Sequence, residues 1–315
     1  RPMRFLVLLV ALSSLPLVWS QCAAFKRLSA GDAHVCLIDA VDETSRCWGR
    51  NYFGESTAPA DLRLKQVASG AVHSCGIRFS DDKLECWGYN GANETNAPTE
   101  SVLLVALGSR HGCAIALSTS KNILCWGLNE DGRINPPAGQ YKAITAGAAH
   151  TCAIEDTQGT VACWGYYDST QTGFPTSSTT FTKIAAGFAH TCGIKTDGGV
   201  ECWPPGIADG RTTVPTALQT GGSGTPVKQI STRGAHTCAI DAANKLQCWG
   251  SNTHGESTVP DSTQLYNYVS AGWYYTCALK STGTVQCWGE NSHDRATPPG
   301  GFTICASGPP APVAP

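Results

Sequence analysis

The chain has 315 residues, only 15% of them charged, and a formal net charge of −2. That balance excludes the basic footprint of a nucleic-acid binder. No stretch is apolar for long enough, without interruption, to be read as a membrane span. Sixteen cysteines and nine tryptophans are the conspicuous features of the composition.

The first segment, RPMRFLVLLVALSSLPLVWSQC, places Arg4 after Met3 and then an apolar run from Phe5 to about Val18, broken by Ser13-Ser14 and Pro16. A charged start, a short apolar stretch and a small residue, Ser20, at the exit describe a secretory signal peptide over 1–20, with Arg1 and Pro2 read as lying ahead of the start. Gln21 before Cys22 argues against a lipid on that cysteine. Removing Arg1 and Arg4 takes the formal charge from −2 to −4. Cysteines in a secreted chain are expected as disulfides rather than as thiols.

From there the chain repeats. Cys36, Cys75, Cys113, Cys152, Cys192, Cys238 and Cys277 are spaced by 39, 38, 39, 40, 46 and 39 residues. Each has a second cysteine downstream (Cys47, Cys86, Cys125, Cys163, Cys202, Cys248, Cys287) followed directly by tryptophan. Within a copy four strand-length segments are read: "YKAITAG" (141–147), "HTCAI" (150–154), "TVACWG" (160–165) and a polar stretch ending in proline, as in "SNTHGESTVP" (251–260). Turn residues separate them and no long helical period appears. Four short strands per copy of about 40 residues is the signature of a propeller blade. The expected fold is an all-β, seven-bladed propeller over 21–308, followed by a proline-rich tail, 309–315.

Strand alternation puts His150, Cys152 and Ile154 on one face and Thr151 and Ala153 on the other. If Cys152 lies opposite Cys163, the sulfurs meet on one face and Trp164 covers Thr151 and Ala153. The turn between the cysteines varies while both cysteines persist. A hairpin disulfide tolerates this, because only the flanking positions must meet. The expected pairs are Cys36–Cys47, Cys75–Cys86, Cys113–Cys125, Cys152–Cys163, Cys192–Cys202, Cys238–Cys248 and Cys277–Cys287, with Cys22–Cys305 joining the termini. Sixteen cysteines admit many pairings, and hairpin geometry is the reason for this one. Metal binding by the recurring Cys and His is the competing reading; a zinc site wants four ligands at tetrahedral spacing, and a secreted chain favours oxidation. No metal and no cofactor are expected.

"AGAAHTCAI…GTVACWG", "ASGAVHSCGI…KLECWGYN" and "RGAHTCAI…KLQCWGSN" resemble the regulator of chromosome condensation repeat, with its "AG..H(S/T).A(L/I)" and "G.V..WG.N..G" strands. The resemblance covers nearly the whole chain after the leader and implies the seven-bladed propeller of that family. The family's nuclear exchange-factor and chromatin roles sit badly with a leader and an acidic chain. In repeat length and secretion the chain looks more like the bacterial propeller that inhibits β-lactamases through one loop face. The paired cysteines suggest a secreted, cysteine-stapled branch.

Residues that repeat in every blade read as packing: His34, His73, His111, His150, His190 and His236, with Tyr275 in the seventh copy, and the seven tryptophans after cysteine. Departures from the repeat are the better candidates for a binding site. They are Pro204 and Pro205 in the long loop of the fifth copy, Trp273 and Tyr274 in the seventh, and Tyr166 and Tyr167 in the fourth. Asn93 in Asn93-Glu94-Thr95 is an N-glycosylation acceptor. Pro309, Pro310, Pro312 and Pro315 resemble sites of proline hydroxylation and O-glycosylation.

No serine-elbow, zinc-protease or phosphate-loop pattern is present, and no catalytic residue is assigned. The expected function is a non-enzymatic extracellular scaffold or interaction module, a structural glycoprotein subunit of a cell-surface coat, wall, appendage or fibril. Its partners would be other extracellular proteins or glycans, including copies of itself, with no nucleic acid and no membrane span. The alternative is a soluble secreted propeller that binds and inhibits an extracellular enzyme.

Overall fold

A computed structural model of the chain describes residues 28–39, 42–166, 178–221 and 225–300. The leader over 1–20, the Cys22–Cys305 pair, Tyr167 and the tail prolines Pro309, Pro310, Pro312 and Pro315 lie outside these residues. Seven antiparallel three-stranded sheets follow one another along the chain, each with its strands in sequential order. Blade 4 is representative, with an inner strand Tyr141–Ala146, a middle strand His150–Glu155 and an outer strand Val161–Gly165. The inner strand carries a bulge at Lys142, and the same shift recurs in blades 2, 3, 5, 6 and 7. The bulge adds local twist where seven sheets must fan around an axis.

Within blade 4, Cys152 lies opposite Cys163 and Thr151 opposite Trp164. Every blade carries the corresponding disulfide, with Cα atoms 4.0–4.1 Å apart. The first cysteine of each pair is fully buried. Core clusters form between blades rather than within them. One joins Cys113, Ile115 and Ile123 of blade 3 to Tyr141, Ile144 and Trp164 of blade 4.

The fourth segment is not a strand. In "SNTHGESTVP" the backbone turns, and Asn252 Oδ1 accepts the Ser257 N–H at 3.1 Å while its Nδ2 donates to Thr258 Oγ1 at 2.8 Å. The asparagine binds its own loop and so diverts it from pairing with the outer strand. The fifth copy departs further: its long connection holds a short helix, Thr216–Gln219, whose Leu218 packs with Val200, Val214 and Val227.

Neighbouring blades are joined by a repeated hydrogen-bond relay. The Ser74 hydroxyl of blade 2 donates to the Glu55 carbonyl of blade 1 at 3.0 Å, and Trp87 Nε1 donates to the same carbonyl at 3.0 Å. With its proton committed there, the hydroxyl accepts from His34 Nε2 at 2.8 Å. The same imidazole–hydroxyl contact joins His111 to Thr151, His150 to Thr191, His190 to Thr237 and His236 to Thr276, at 2.8–2.9 Å. Two seams depart from it. Blade 1 has Val35 where the hydroxyl belongs, and blade 7 answers with Tyr275, whose hydroxyl reaches past the valine to the His34 and Gly31 carbonyls at 2.8 and 3.1 Å. Blade 3 has Gly112, beneath the larger Leu107, and His73 is left with neither ring nitrogen bonded. A Cβ on Gly112 would meet Trp126 at 2.4 Å and Leu107 at 2.8 Å.

No strand is exchanged between the first and last blades among the described residues. Besides Tyr275, the seam is closed by Trp48 Nε1 donating to the Arg295 carbonyl at 3.0 Å and Arg295 Nη1 donating to the Asp32 carbonyl at 2.9 Å.

The relay predicts the outcome of a substitution pair. Thr276→Val leaves the His236 Nε2–H without an acceptor and should cost about 1–3 kcal/mol. Adding His236→Tyr copies the Tyr275/Val35 seam and should recover most of that loss. Urea unfolding of both variants, with disulfides intact, measures the two effects.

Candidate interaction face

The strand order decides which loops share an end of the disk. His150, the first residue of the middle strand, pairs with Gly165, the last of the outer strand. The inner–middle loops and the loops leaving the outer strands therefore lie on one face, and the hairpin turns lie on the other.

Six of the outer-strand loops of this face share a polar residue seven or eight positions after the tryptophan, buried in all but Arg211. In blades 1, 2 and 6 it is Glu55, Glu94 and Glu256, each with 0% exposure. Its carboxylate accepts N–H groups of its own loop: Phe53 N at 2.8 Å for Glu55, Ala92 N at 2.6 Å for Glu94 and His254 N at 2.7 Å for Glu256. Arg50 and Arg110 complete two of these sites from the side, at 2.7 and 2.8 Å. In blades 3, 5 and 7 the position is Arg133, Arg211 or Arg295, which binds the acidic side chains of its own loop instead. In all six the backbone carbonyl accepts the next blade's tryptophan N–H at 2.8–3.1 Å. The Glu-or-Arg position was missed in the sequence, although "FGES", "ANET", "DGRI", "DGRT", "HGES" and "HDRA" display it.

At the axis, six blades place a glycine three residues before the histidine or Tyr275, and blade 6 places Arg233 there. Its guanidinium crosses the axis to blades 1, 2 and 3. Nε donates to Asp32 Oδ1 at 2.8 Å, and Nη1 to the Ser69 and Leu107 carbonyls at 3.1 and 2.9 Å. This residue, too, was not singled out in the sequence, where only its breach of the glycine pattern marks it.

Above Arg233 the inner–middle loops carry an aromatic strip. Phe188 of blade 5 and Trp273 of blade 7 meet edge to face with centroids 4.9 Å apart. They meet over Gly234 of blade 6, where a Cβ would come within 1.9 Å of the Trp273 carbonyl oxygen. Trp273 contacts Tyr274 at 6.0 Å, and Tyr274 contacts His254 at 4.8 Å. Phe188 and Tyr274 are 47% and 37% exposed. A second group on the same face joins Phe53 to Tyr89 and Tyr52 to His293. The structure thus brings Trp273 and Tyr274 together and adds Phe188 and His254. Tyr166 is exposed on the same face but has no described aromatic neighbour. Pro204 is buried behind the cis Trp203–Pro204 bond, and only Pro205 is exposed. Asn93 is exposed on a loop of this face, in a left-handed turn with φ 64°. Among the described residues no group of three His, Cys, Asp or Glu side chains is placed to hold a metal, and no helix is long and apolar enough to cross a membrane.

Fold and relay define the class: a seven-bladed β-propeller whose blades are sequence repeats. Residues 227–256 and 268–295 match the family model of the regulator of chromosome condensation (RCC1) repeat. The chain is an RCC1-like repeat β-propeller with one hairpin disulfide in each blade. The ectodomain of the Physcomitrella patens receptor kinase CR4 is similar in structure, with TM-score 0.69 and 23% identity, over 84% of this chain and 74% of that one. The CRINKLY WD40 ectodomain of the Arabidopsis thaliana receptor kinase ACR4 gives TM-score 0.68 and 21% identity, over 89% and 98%. Yeast RCC1 (Prp20), in a structure bound to Kap60, gives 0.60 and 15%, over 78% and 74%. These likenesses concern the fold. No curated protein matches the sequence.

The six buried histidines also set the acid response of the face they support. In five of them Nε2 carries the proton that the hydroxyl accepts, His73 has no partner on either nitrogen, and Nδ1 has none in His34, His111, His190 and His236. A second proton would be a buried charge without an acceptor. Burial is the main cause that lowers the pKa from 6.5 to about 3 in His34, His73 and His190, and to about 4 in His150 and His236. His111 is likewise held well below the ordinary value by burial. The unfolded chain binds these protons first as pH falls, so the stabilisation is complete above about pH 6.5 and is lost on descending toward the folded values. Each histidine contributes roughly 1.4 kcal/mol per pH unit within that window. Urea midpoints measured from pH 7.5 to 5, above the titration of most carboxylates, should fall steeply. A flat profile would contradict six neutral, buried imidazoles.

Proposed function

We propose that this protein is an extracellular interaction module that works by contact rather than catalysis, presenting the aromatic face to other extracellular proteins or glycans. The carrying observation is the Phe188–Trp273–Tyr274–His254 strip. It is formed by blades 5, 6 and 7 alone, where four other blades place Asp32, Ala71, Ser109 and Ala148 at the Phe188 and Trp273 position. Aromatic side chains that are half exposed and held by a rigid frame offer large contact area at low entropic cost. The repeated histidines would be candidates for acid–base work in a less regular protein; here five of the six are consumed by the blade-to-blade relay, and the sixth, His73, is fully buried. Seven disulfides in a chain with few charges support an oxidising, extracellular compartment. Within this reading the propeller spans 21–308 between a leader and a proline-rich tail, Cys22–Cys305 ties the ends, and Asn93 carries a glycan beside the face. Assembly into a coat, wall or fibril is the finer form of the same proposal.

Electron microscopy and sedimentation of the native glycosylated protein test it. Ordered assemblies, or binding to immobilised matrix glycans, should weaken at least tenfold in Trp273→Ala/Tyr274→Ala, while the urea midpoint moves little because both side chains lie on the surface. A monomer at high concentration that retains no matrix component, or binding untouched by the double substitution, would remove the proposal's content.

A further inference from the structure

The axis of the disk holds a cavity of about 320 Å³, partly open to solvent and lined by the inner strands of all seven blades. Its lining contains Lys183 and Arg233 and no Asp or Glu. A volume equal to roughly ten liquid waters thus has two cationic side chains and no carboxylate in its wall; Arg233 is buried and paired with Asp32, whereas Lys183 is exposed and has no acidic partner in the lining.

Most of the polar wall is already spent on holding the blades together. Gln66 and Gln229 each bind the next blade's backbone through both amide atoms, at Val105 and Val269. The hydroxyls of Ser29, Thr145, Ser231 and Ser270 accept N–H bonds from the following blade. Arg233 spends three of its five donors on the bonds already described and a fourth on the Gly108 carbonyl at 3.5 Å, and it pairs with Asp32 outside the lining, so it bounds the cavity toward the aromatic face.

Two groups remain. Lys183 of blade 5 takes the inner-strand position that holds glutamine in blades 2 and 6, but its Nζ donates only to the Lys228 carbonyl, at 2.5 Å. It makes no ion pair among the described residues, and burial holds its pKa below the usual lysine value. Tyr268 of blade 7 takes the same position; it too is a lining residue, and its hydroxyl has no hydrogen-bond partner among the described residues. A lysine retains two N–H donors after one bond, so the wall offers an ammonium and a phenol and no negatively charged acceptor.

We propose that the axial cavity binds a small organic anion of about monosaccharide size, its acid group held by Lys183 and Tyr268. The proposal is independent of the aromatic face: the ligand is small, axial and anionic, whereas the face meets macromolecules, so either can fail without the other.

Calorimetric titration and thermal melts of the intact, disulfide-bonded protein with sodium glucuronate, sodium phosphate and glucose test it. Glucuronate should raise the melting temperature by about 3 °C or more at saturating concentration, and glucose should not. Lys183→Met should weaken glucuronate binding roughly tenfold or more, and Tyr268→Phe by a smaller factor. Unliganded melting of each variant reports its folding, and Lys183→Gln, which copies blades 2 and 6, serves if the methionine variant does not fold. Glucose matching glucuronate, phosphate matching glucuronate, or undiminished binding in the Lys183 variants would each overturn the proposal. The first would remove the requirement for charge, the second that for the cavity, and the third the assigned residue.

Discussion

Most blades of this propeller bury a histidine and a tryptophan that they cannot satisfy alone. The indole N–H of one blade ends on the loop carbonyl of the blade before it, and the serine or threonine beside that indole bonds the same carbonyl while accepting from the preceding blade's imidazole. Three donors and two acceptors thus meet in a seam with no water required. Because a buried donor left unpaired costs more than a bonded one contributes, the seam specifies one alignment of neighbouring sheets and penalises others. Hydrophobic clusters that straddle two blades supply attraction, which is non-directional. The relay supplies the angle.

The disulfides do something different. All seven close hairpins within a blade, across 10 to 12 residues, and none joins two blades among the described residues. They restrict the unfolded chain and hold each middle and outer strand in register, but they cannot close a ring. Closure falls to contacts of the kind seen at every other seam, with Tyr275 and Arg295 adapted to the last one. A chain of repeats can close this way only if its seventh interface is as good as its first six, and the exchange of histidine for tyrosine opposite Val35 shows how that is met. The hydroxyl is moved from the receiving blade to the donating one, and two backbone carbonyls replace the lost partner.

Much of this was legible in the residues. Cysteine spacing defined the number of blades, and alternation placed Cys152 against Cys163 and Trp164 over Thr151. The fourth segment was misread because a polar stretch of strand length is told from a turn only by where its asparagine bonds. The histidines were read as packing, which is right in kind, but their partners lie about 40 residues away, and no local pattern couples His34 to Ser74. The Glu-or-Arg position was hidden because opposite charges occupy one site: what repeats is the backbone carbonyl, and the side chain only has to secure its own loop. Of the binding candidates, Trp273 and Tyr274 stood out as consecutive aromatics. Phe188 did not, since its partner Trp273 belongs to a different blade and no local pattern joins them.

Symmetry makes the remaining departures informative. In a ring of near-identical blades, a residue that serves folding is needed seven times, and one that serves recognition is needed once. Arg233, Phe188, Trp273, Tyr274 and Lys183 each occur at a position where most blades have something smaller or neutral, and all belong to blades 5, 6 and 7. The same sector holds the 46-residue spacing and the short helix of the long connection. Random drift would scatter such changes around the disk. Their concentration in adjacent blades, where the aromatic strip lies on one side of Arg233 and the axial cavity on the other, is what selection on a localised surface and its underlying axis would leave. Arg233 separates the two: by spending its donors on the carbonyls of blades 2 and 3 it carries rigidity from one half of the ring to the other, and it bounds the interior toward the aromatic face.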